Sequence, residues 1–267
     1  MNKMNLDDRV LREMYGRALD AGRPSVCIPS ADLEFLSEVA GGRWPAQSAI
    51  QRLVRSERIV RVRRDLLILP DVTGRLKIDL PELIDIVAPR SHLITAGRAL
   101  EHHDLTDQHF FGVVVLTPRE LEPLSFRGQS ARFAKTNLKN IWGWVDAPGP
   151  RYALPERAIV DSVNHPRYGV ALSLAVDALL TAAERDSDFL PRLLDTVRHF
   201  ESPAVARRVG YLVHRFVSAE AAIPFRDLIG QNRAPVLLRP AGRQMGELDR
   251  LWRVLVNTGV QSEKVEE

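Results

Sequence analysis

A short helix with one polar face, followed at once by a basic alternating segment, is the feature that most restricts this chain's fold. Residues 45–69 read PAQSAIQRLVRSERIVRVRRDLLIL. At about 3.6 residues per turn, the apolar residues of the first half fall on one side of a helix. Pro45 suits the first turn of that helix, where its missing N–H is not needed. The other side carries the hydrogen-bonding side chains of Gln47, Ser48, Gln51, Arg52 and Arg55.

The segment that follows this helix predicts a β-hairpin. Apolar residues alternate with arginines from Arg58 to Arg63, and a period of two is typical of a strand. Arg64 and Asp65 would form the tip, and residues 66–69 the returning strand. Helical spacing at 7–20 and 31–40 precedes the helix from Pro45. Three helices and a hairpin predict a winged helix, whose third helix enters the major groove of DNA.

The charge of this region indicates an anionic partner. From Arg43 to Arg64 the chain holds seven arginines and a single acid, Glu57. A phosphate backbone relieves such crowding of like charges, and the release of its counterions drives binding. The alternative is an ordinary solvated helix and surface hairpin. We predict that double-stranded DNA binds here, contacted by Gln47, Ser48, Gln51, Arg52, Arg55, Arg58, Arg61, Arg63 and Arg64.

Composition restricts the remaining function classes. The 267 residues suffice for one large domain or two modest ones, and the net charge is only +3, so the basicity is local. The single cysteine excludes an internal disulfide and a cysteine-based metal site. No apolar run reaches the roughly 18 residues that a membrane span needs. The polar start of the chain lacks a signal-peptide core, so we expect a cytoplasmic protein that does not bind membranes.

A turn-rich break at 70–74 divides the chain. We predict an α+β protein: a winged-helix domain over 1–70, a mixed α/β domain rich in helices over 75–260, and a polar tail over 261–267. The second domain's predicted helices lie at 80–87, from Thr95 to His103, and at 155–164, 169–185, 188–200 and 203–217. Its predicted strands lie at 112–116, 141–145, 235–238 and 251–256.

No segment of the second domain predicts catalysis. Adjacent residues in Glu101–Asp104 point about 100° apart on a helix, which disfavours a shared metal ion. The sequence lacks a Walker-type phosphate-binding loop, a nucleophile elbow and a dinucleotide-binding glycine pattern. Glu156, Arg157 and Asp161 are expected to form a structural ion-pair network. We therefore expect no enzyme activity, catalytic residue, metal or cofactor.

A second basic stripe is predicted late in the chain. Arg207 and Arg208 are followed by Arg215, seven residues beyond Arg208. One interpretation is a solvated helix face. The other is a second contact to DNA or to an acidic partner.

Several segments, in this order, resemble the AbiEi family of antitoxins from type IV toxin–antitoxin and abortive-infection systems. The resemblance runs from about residue 45 to 257. One departure is Asp65, which stands where family wings usually have glycine at the turn. The segments that carry the resemblance are Ser91–Leu100 with Leu105 and Gln108, Leu154–Asp161 with Pro166, Arg207–Leu212, and Trp252–Asn257.

The resemblance implies a concrete function. Family members repress the operon that encodes them together with a nucleotidyltransferase-like toxin, and the amino-terminal winged helix binds the operator. The second domain counters the toxin. Two modes of neutralisation remain open: the second domain forms a direct complex with the toxin, or it modifies the toxin enzymatically. In another alternative, the winged helix mediates only protein contacts.

Overall fold

The computed structural model describes residues 5–23, 25–27, 29–165, 169–231 and 234–257. The described residues are mixed helix and strand, which confirms the predicted α+β class. They form two compact units. The first contains Met1–Val87 and Leu124–Ser130, and the second contains Ala88–Pro123 and Ala131–Glu267. The predicted polar tail lies outside the described residues. No helix among the described residues is long and apolar enough to cross a membrane.

The first unit begins with three helices and a small sheet. The helices are α1 Leu6–Asp20, α2 Pro29–Ala40 and α3 Arg43–Arg55. The strands are β1 Val26–Cys27, β2 Val60–Arg63 and β3 Leu66–Ile68, in the antiparallel order β1-β3-β2. The hairpin predicted from the alternating pattern is therefore present, and its returning strand is the centre of the sheet.

A buried cluster holds these helices against one face of the sheet. Helical spacing places Val10, Met14 and Ala18 on the inner side of α1, where each is fully buried. Leu67 and Leu69 from the sheet join the same cluster. Leu66 and Ile68 are also fully buried, although they point to the opposite face. The central strand is thus covered on both faces, which explains its uninterrupted apolar sequence.

The predicted break at 70–74 is an ordered turn inside the first unit, so the domain boundary differs from the expected one. The Asp71 carboxylate accepts hydrogen bonds from the Thr73 hydroxyl and from the backbone N–H of Arg75, at 2.6 and 2.9 Å. These bonds hold the pKa of Asp71 well below its ordinary value. Helix α4, Leu80–Val87, matches its predicted range and also belongs to the first unit, as does strand β6, Leu124–Phe126.

The second unit begins with strands. Strand β4, Leu93–Thr95, pairs antiparallel with β5, Gly112–Thr117, and the order continues to β7, Gln129–Lys135. Helix α5, Gly97–His102, is shorter than predicted because Thr95 ends a strand instead of capping a helix. The predicted strand at 141–145 is wrong: Trp144 forms only an isolated bridge with Ala153.

The rest of the second unit is mainly helical, as predicted. Ser202 caps α9 by accepting from the Val205 N–H. A π-helical turn, Val213–Val217, extends α9, and short 3₁₀ turns occupy Leu138–Asn140 and Ile223–Leu228. The helices are α6 Pro155–Asn164, α7 Leu172–Arg185, α8 Phe189–His199 and α9 Pro203–Leu212. The closing strands are β8 Val236–Leu237, β9 Glu247–Asp249 and β10 Val254–Val256.

Candidate nucleic-acid interface

Helix α3 has one buried face and one exposed face, divided as its sequence predicts. The inner face packs into the cluster of the first unit through Ala46, Ala49, Ile50 and Leu53. The predicted contact residues lie on the opposite side: Gln47, Gln51, Arg52 and Arg55 are exposed and Ser48 is half-buried. Burial of the inner face fixes which side of the helix is available to a partner.

The amino-terminal end of α3 has no side-chain cap. A two-residue link, Gly41–Gly42, joins it to α2, and Gly42 has a φ of 145°, which favours glycine. The first-turn N–H groups of a helix lack partners within the helix. They are therefore open to water or to an anion such as a phosphate.

Two of the predicted cations form ion pairs with the first turn of α1. Arg52 Nη2 lies 2.6 Å from Asp7 Oδ1, and Arg58 Nη2 lies 2.7 Å from Asp8 Oδ1. The hydrogen bonds from Arg52 to Asp7 raise the pKa of Arg52 above its ordinary value. The sequence prediction treated both arginines as available, whereas in the structure they already have anionic partners.

The hairpin contains a bulge that alters the predicted alternation. Arg61 pairs with Leu67 and Arg63 with Leu66, so Val62 is an extra residue in β2. Arg61 is exposed, whereas Arg63 is half-buried and lies 2.7 Å from the Asp65 carboxylate at the tip. Arg63 is therefore less available to DNA than the period of two implies.

Four arginines of the segment form no ion pair or hydrogen bond among the described residues. Arg43, Arg55, Arg61 and Arg64 are exposed and make no hydrogen bond or ion pair with any residue that the structure describes. Two of them, Arg43 and Arg55, lie at the two ends of α3, and the other two lie on the hairpin. Guanidinium groups without partners favour bidentate contacts to phosphate or to guanine.

One residue of this surface was missed by the sequence analysis. Trp44, in the first turn of α3, is 79% exposed. It precedes Ser48 by one helical turn and Gln51 by two, so it extends the polar face. Its helical spacing from Ser48 and Gln51 is the signal that could have identified this position.

The second basic stripe is not formed, which corrects that prediction. Arg207 is only 2% exposed, and it donates to the carbonyl oxygens of Ile229 and Ala234, at 3.2 and 2.7 Å. Arg208 donates to Leu237 O and Asn164 Oδ1, at 2.7 and 2.6 Å. Burial lowers the pKa of both residues. They hold the chain around α9 together, and of the three predicted residues only Arg215 is exposed.

The ionic residues of α6 form the structural network that the sequence predicts. Arg157 Nε donates to Asp161 Oδ2 at 2.9 Å, and both side chains are buried. The Thr95 hydroxyl donates to the same carboxylate oxygen, which ties β4 to α6. Glu156 lies 3.4 Å from Arg192 of α8.

Arg157 also lines a cavity of about 470 Å³ with Trp142 and His199. Among the described residues, no group of three or more His, Cys, Asp or Glu side chains could hold a metal ion.

Comparisons with known proteins give one informative likeness. No family model matches the chain, and no curated protein matches it significantly. Among solved structures, the chain is similar to the Rv2827c protein of Mycobacterium tuberculosis, with 18% sequence identity and a TM-score of 0.63. The match covers 93% of this chain and 90% of that one. At this identity the likeness shows a shared fold and carries no information about function.

Proposed function

We propose that this chain is a winged-helix transcription regulator that binds double-stranded DNA through α3 and the β2–β3 hairpin. The observation that carries the proposal is the exposed face of α3, where Gln47, Gln51 and Arg55 project opposite a fully buried face. Four exposed arginines that have no partner among the described residues accompany this face. The α3 side chains can contact base edges, and the unpaired arginines can contact phosphates. A site-directed DNA binder needs both kinds of group.

The arrangement of elements supports the winged-helix assignment. A short turn that contains glycine joins α2 to α3, as in a helix-turn-helix, and the hairpin follows the third helix directly. In such domains the amino-terminal residues of the recognition helix contact base edges. The hairpin then lies against the sugar–phosphate backbone.

Each group on this surface has a chemical role in the proposal. Gln47 and Gln51, one turn apart, can each donate to and accept from an adenine edge in the major groove. Arg55 suits guanine or a phosphate, and Arg61 and Arg64 suit phosphates. Phosphate contacts fix the register of the protein, whereas base contacts supply specificity.

The paired arginines have a secondary role. Arg52 and Arg58 can exchange Asp7 and Asp8 for phosphates, because exposed ion pairs contribute little to stability. The two carboxylates compete with DNA for these cations. They therefore reduce the affinity for every duplex rather than selecting among sequences.

The regulator's biological setting is proposed from the AbiEi resemblance. In this setting the chain represses its own operon, and the second unit counters a nucleotidyltransferase-like toxin. It does so by binding the toxin directly or by modifying the toxin. The quoted segments Leu154–Asp161 and Arg207–Leu212 supply buried residues of the second unit. They support a common fold and leave the mode of toxin neutralisation open.

Fluorescence anisotropy with labelled duplexes tests the DNA-binding proposal. The probes are the DNA upstream of the chain's own reading frame, a shuffled duplex of equal composition and the tightest duplex selected from a random pool. We expect the Gln51→Ala, Arg55→Ala double variant to lose at least about ten-fold in affinity for the selected duplex. The Arg12→Ala variant removes an exposed arginine of α1 and should bind like the wild type. Equal binding by all three proteins contradicts the proposal.

The toxin proposal needs a separate experiment. The proposal places a nucleotidyltransferase-like toxin in the same operon, and the chain is mixed with that protein for size-exclusion chromatography and intact-mass analysis. A stable complex supports direct binding, and a mass change of the toxin supports modification. Rescue of the toxin with neither result excludes both modes.

A further inference from the structure

The indole of Trp44 is exposed where a large aromatic side chain is not expected. It is 79% exposed, whereas Trp252 is fully buried and Trp142 and Trp144 are half-buried. Tryptophan is highly buried on average because it removes a large apolar area from water. Its position on the surface of a two-faced helix therefore suggests a contact with a partner.

Trp44 lies at the end of the polar face of α3. The spacing from Trp44 to Ser48, Gln51 and Arg55 is four, seven and eleven residues, so these four side chains form one stripe along the helix. Ala46 and Ala49 lie on the buried face instead. A partner that contacts Gln51 and Arg55 along this stripe will therefore also meet the indole.

The surroundings of Trp44 identify the class of partner. Exposed Arg43 precedes it and exposed Gln47 follows one turn later, so the indole lies among cationic and hydrogen-bonding groups. This composition complements an anionic duplex, whereas an apolar protein surface would leave Arg43 desolvated without a counter-charge. DNA is accordingly the occupant that we assign to this stripe.

The main apolar group in the major groove is a methyl group. Thymine presents its 5-methyl group there, whereas the other three bases have no methyl group at their major-groove edges and are distinguished by their hydrogen-bonding atoms. We propose that Trp44 packs against the 5-methyl group of a thymine at the end of the binding site nearest the first turn of α3. This inference rests on the proposed DNA-binding function and deepens it: it names Trp44 as a specificity-determining residue and thymine as the base that it reads.

Replacing thymines with deoxyuridine removes only the methyl group and tests the contact directly. The probe is the tightest duplex that the wild-type chain selects from a random pool, with each thymine replaced in turn. We expect one replacement to weaken wild-type binding about four-fold, because the complex then no longer buries one methyl group. Trp44→Ala should bind both duplexes equally. Trp44→Phe should recover part of the discrimination, since an aromatic ring still reaches the methyl group.

Photocrosslinking supplies an independent readout. The same thymine is replaced by 5-iodouracil, and we expect the crosslinked peptide to contain Trp44. Because the indole is exposed, Trp44→Ala should retain the wild-type circular dichroism spectrum and melting temperature.

The outcomes separate this inference from the proposed function. If no duplex binds the wild-type chain, the DNA-binding function itself fails. If the wild type binds but no replacement affects it, or if Trp44→Ala remains equally sensitive to the missing methyl group, the thymine contact is overturned while DNA binding stands. A crosslink that forms only at other residues also overturns it.

Discussion

The arginines that the sequence predicted as contact residues differ in their environments. Arg55 and Arg61 are exposed without partners among the described residues, Arg52 and Arg58 are exposed in ion pairs, and Arg207 is buried against backbone carbonyls. All have the same charge in the sequence, so charge counting located the cationic segment but did not separate these classes. Burial and the positions of distant carboxylates decide between them, and both depend on the tertiary fold.

A first prediction concerns the carboxylate that competes with DNA. Asp7→Asn should raise affinity for any duplex several-fold, because it frees Arg52 and removes a negative charge near the phosphates. Asp20→Asn, at the other end of α1, changes the net charge equally and should have a smaller effect. Anisotropy at constant salt measures the difference. Equal gains from the two variants would mean that Arg52 takes no part in binding.

A second prediction concerns the buried arginine of α9. Arg207→Ala leaves the carbonyl groups of Ile229 and Ala234 without their charged donor. We expect a loss of at least about 1.5–3 kcal/mol in the free energy of unfolding. DNA affinity below the melting transition should be unchanged. Thermal denaturation and anisotropy are measured on one preparation. Weaker DNA binding without destabilisation would mean that Arg207 contacts DNA, as the second basic stripe predicted.

At the scale of elements, predictability followed the strength of the local pattern. Helices α4 and α6 have the predicted ranges, since their apolar periods and prolines are unambiguous. Residues 141–145 have strand composition but form no ladder, because the chain bridges only at Trp144. The bulge at Val62 was not predictable, since pairing register depends on the partner strand as well as on alternation.

The bulge leads to a prediction about the hairpin. Arg61→Ala with Arg64→Ala should weaken binding to all sequences alike and flatten the salt dependence of log affinity by about two units, one per phosphate contact. Arg63→Ala should change the slope less, since Asp65 already neutralises Arg63. Titrations over a series of salt concentrations provide the slopes. A larger change for Arg63 than for the double variant is incompatible with this assignment.

At the scale of the whole molecule, the chain divides differently from its sequence pattern. The turn at 70–74 contains boundary-type residues, yet hydrogen bonds to Asp71 order it within the first unit. Leu124–Ser130 belongs to that unit although the chain has already entered the second one. Local composition cannot reveal that a later segment belongs to the first unit, because this membership depends on contacts between distant parts of the sequence.

This division predicts that β6 stabilises the DNA-binding unit. Leu124 is fully buried, and β6 lies against β2 of the hairpin. Leu124→Ala should therefore lower the free energy of unfolding of the first unit by roughly 2–5 kcal/mol. Ser125→Ala, on the exposed side of the same strand, should be neutral. Hydrogen exchange of the β2 and β3 amides reports the effect, and unchanged exchange in Leu124→Ala would place β6 outside this unit.

The central claim is that α3 and the hairpin form the DNA-binding surface, and nuclear magnetic resonance tests it most directly. The ¹⁵N-labelled chain is titrated with its tightest selected duplex, and amide shifts are followed residue by residue. We expect the largest changes along α3 from Arg43 to Arg55 and at the hairpin from Arg61 to Asp65. Shifts confined to the second unit, or none at saturating DNA, would contradict the claim.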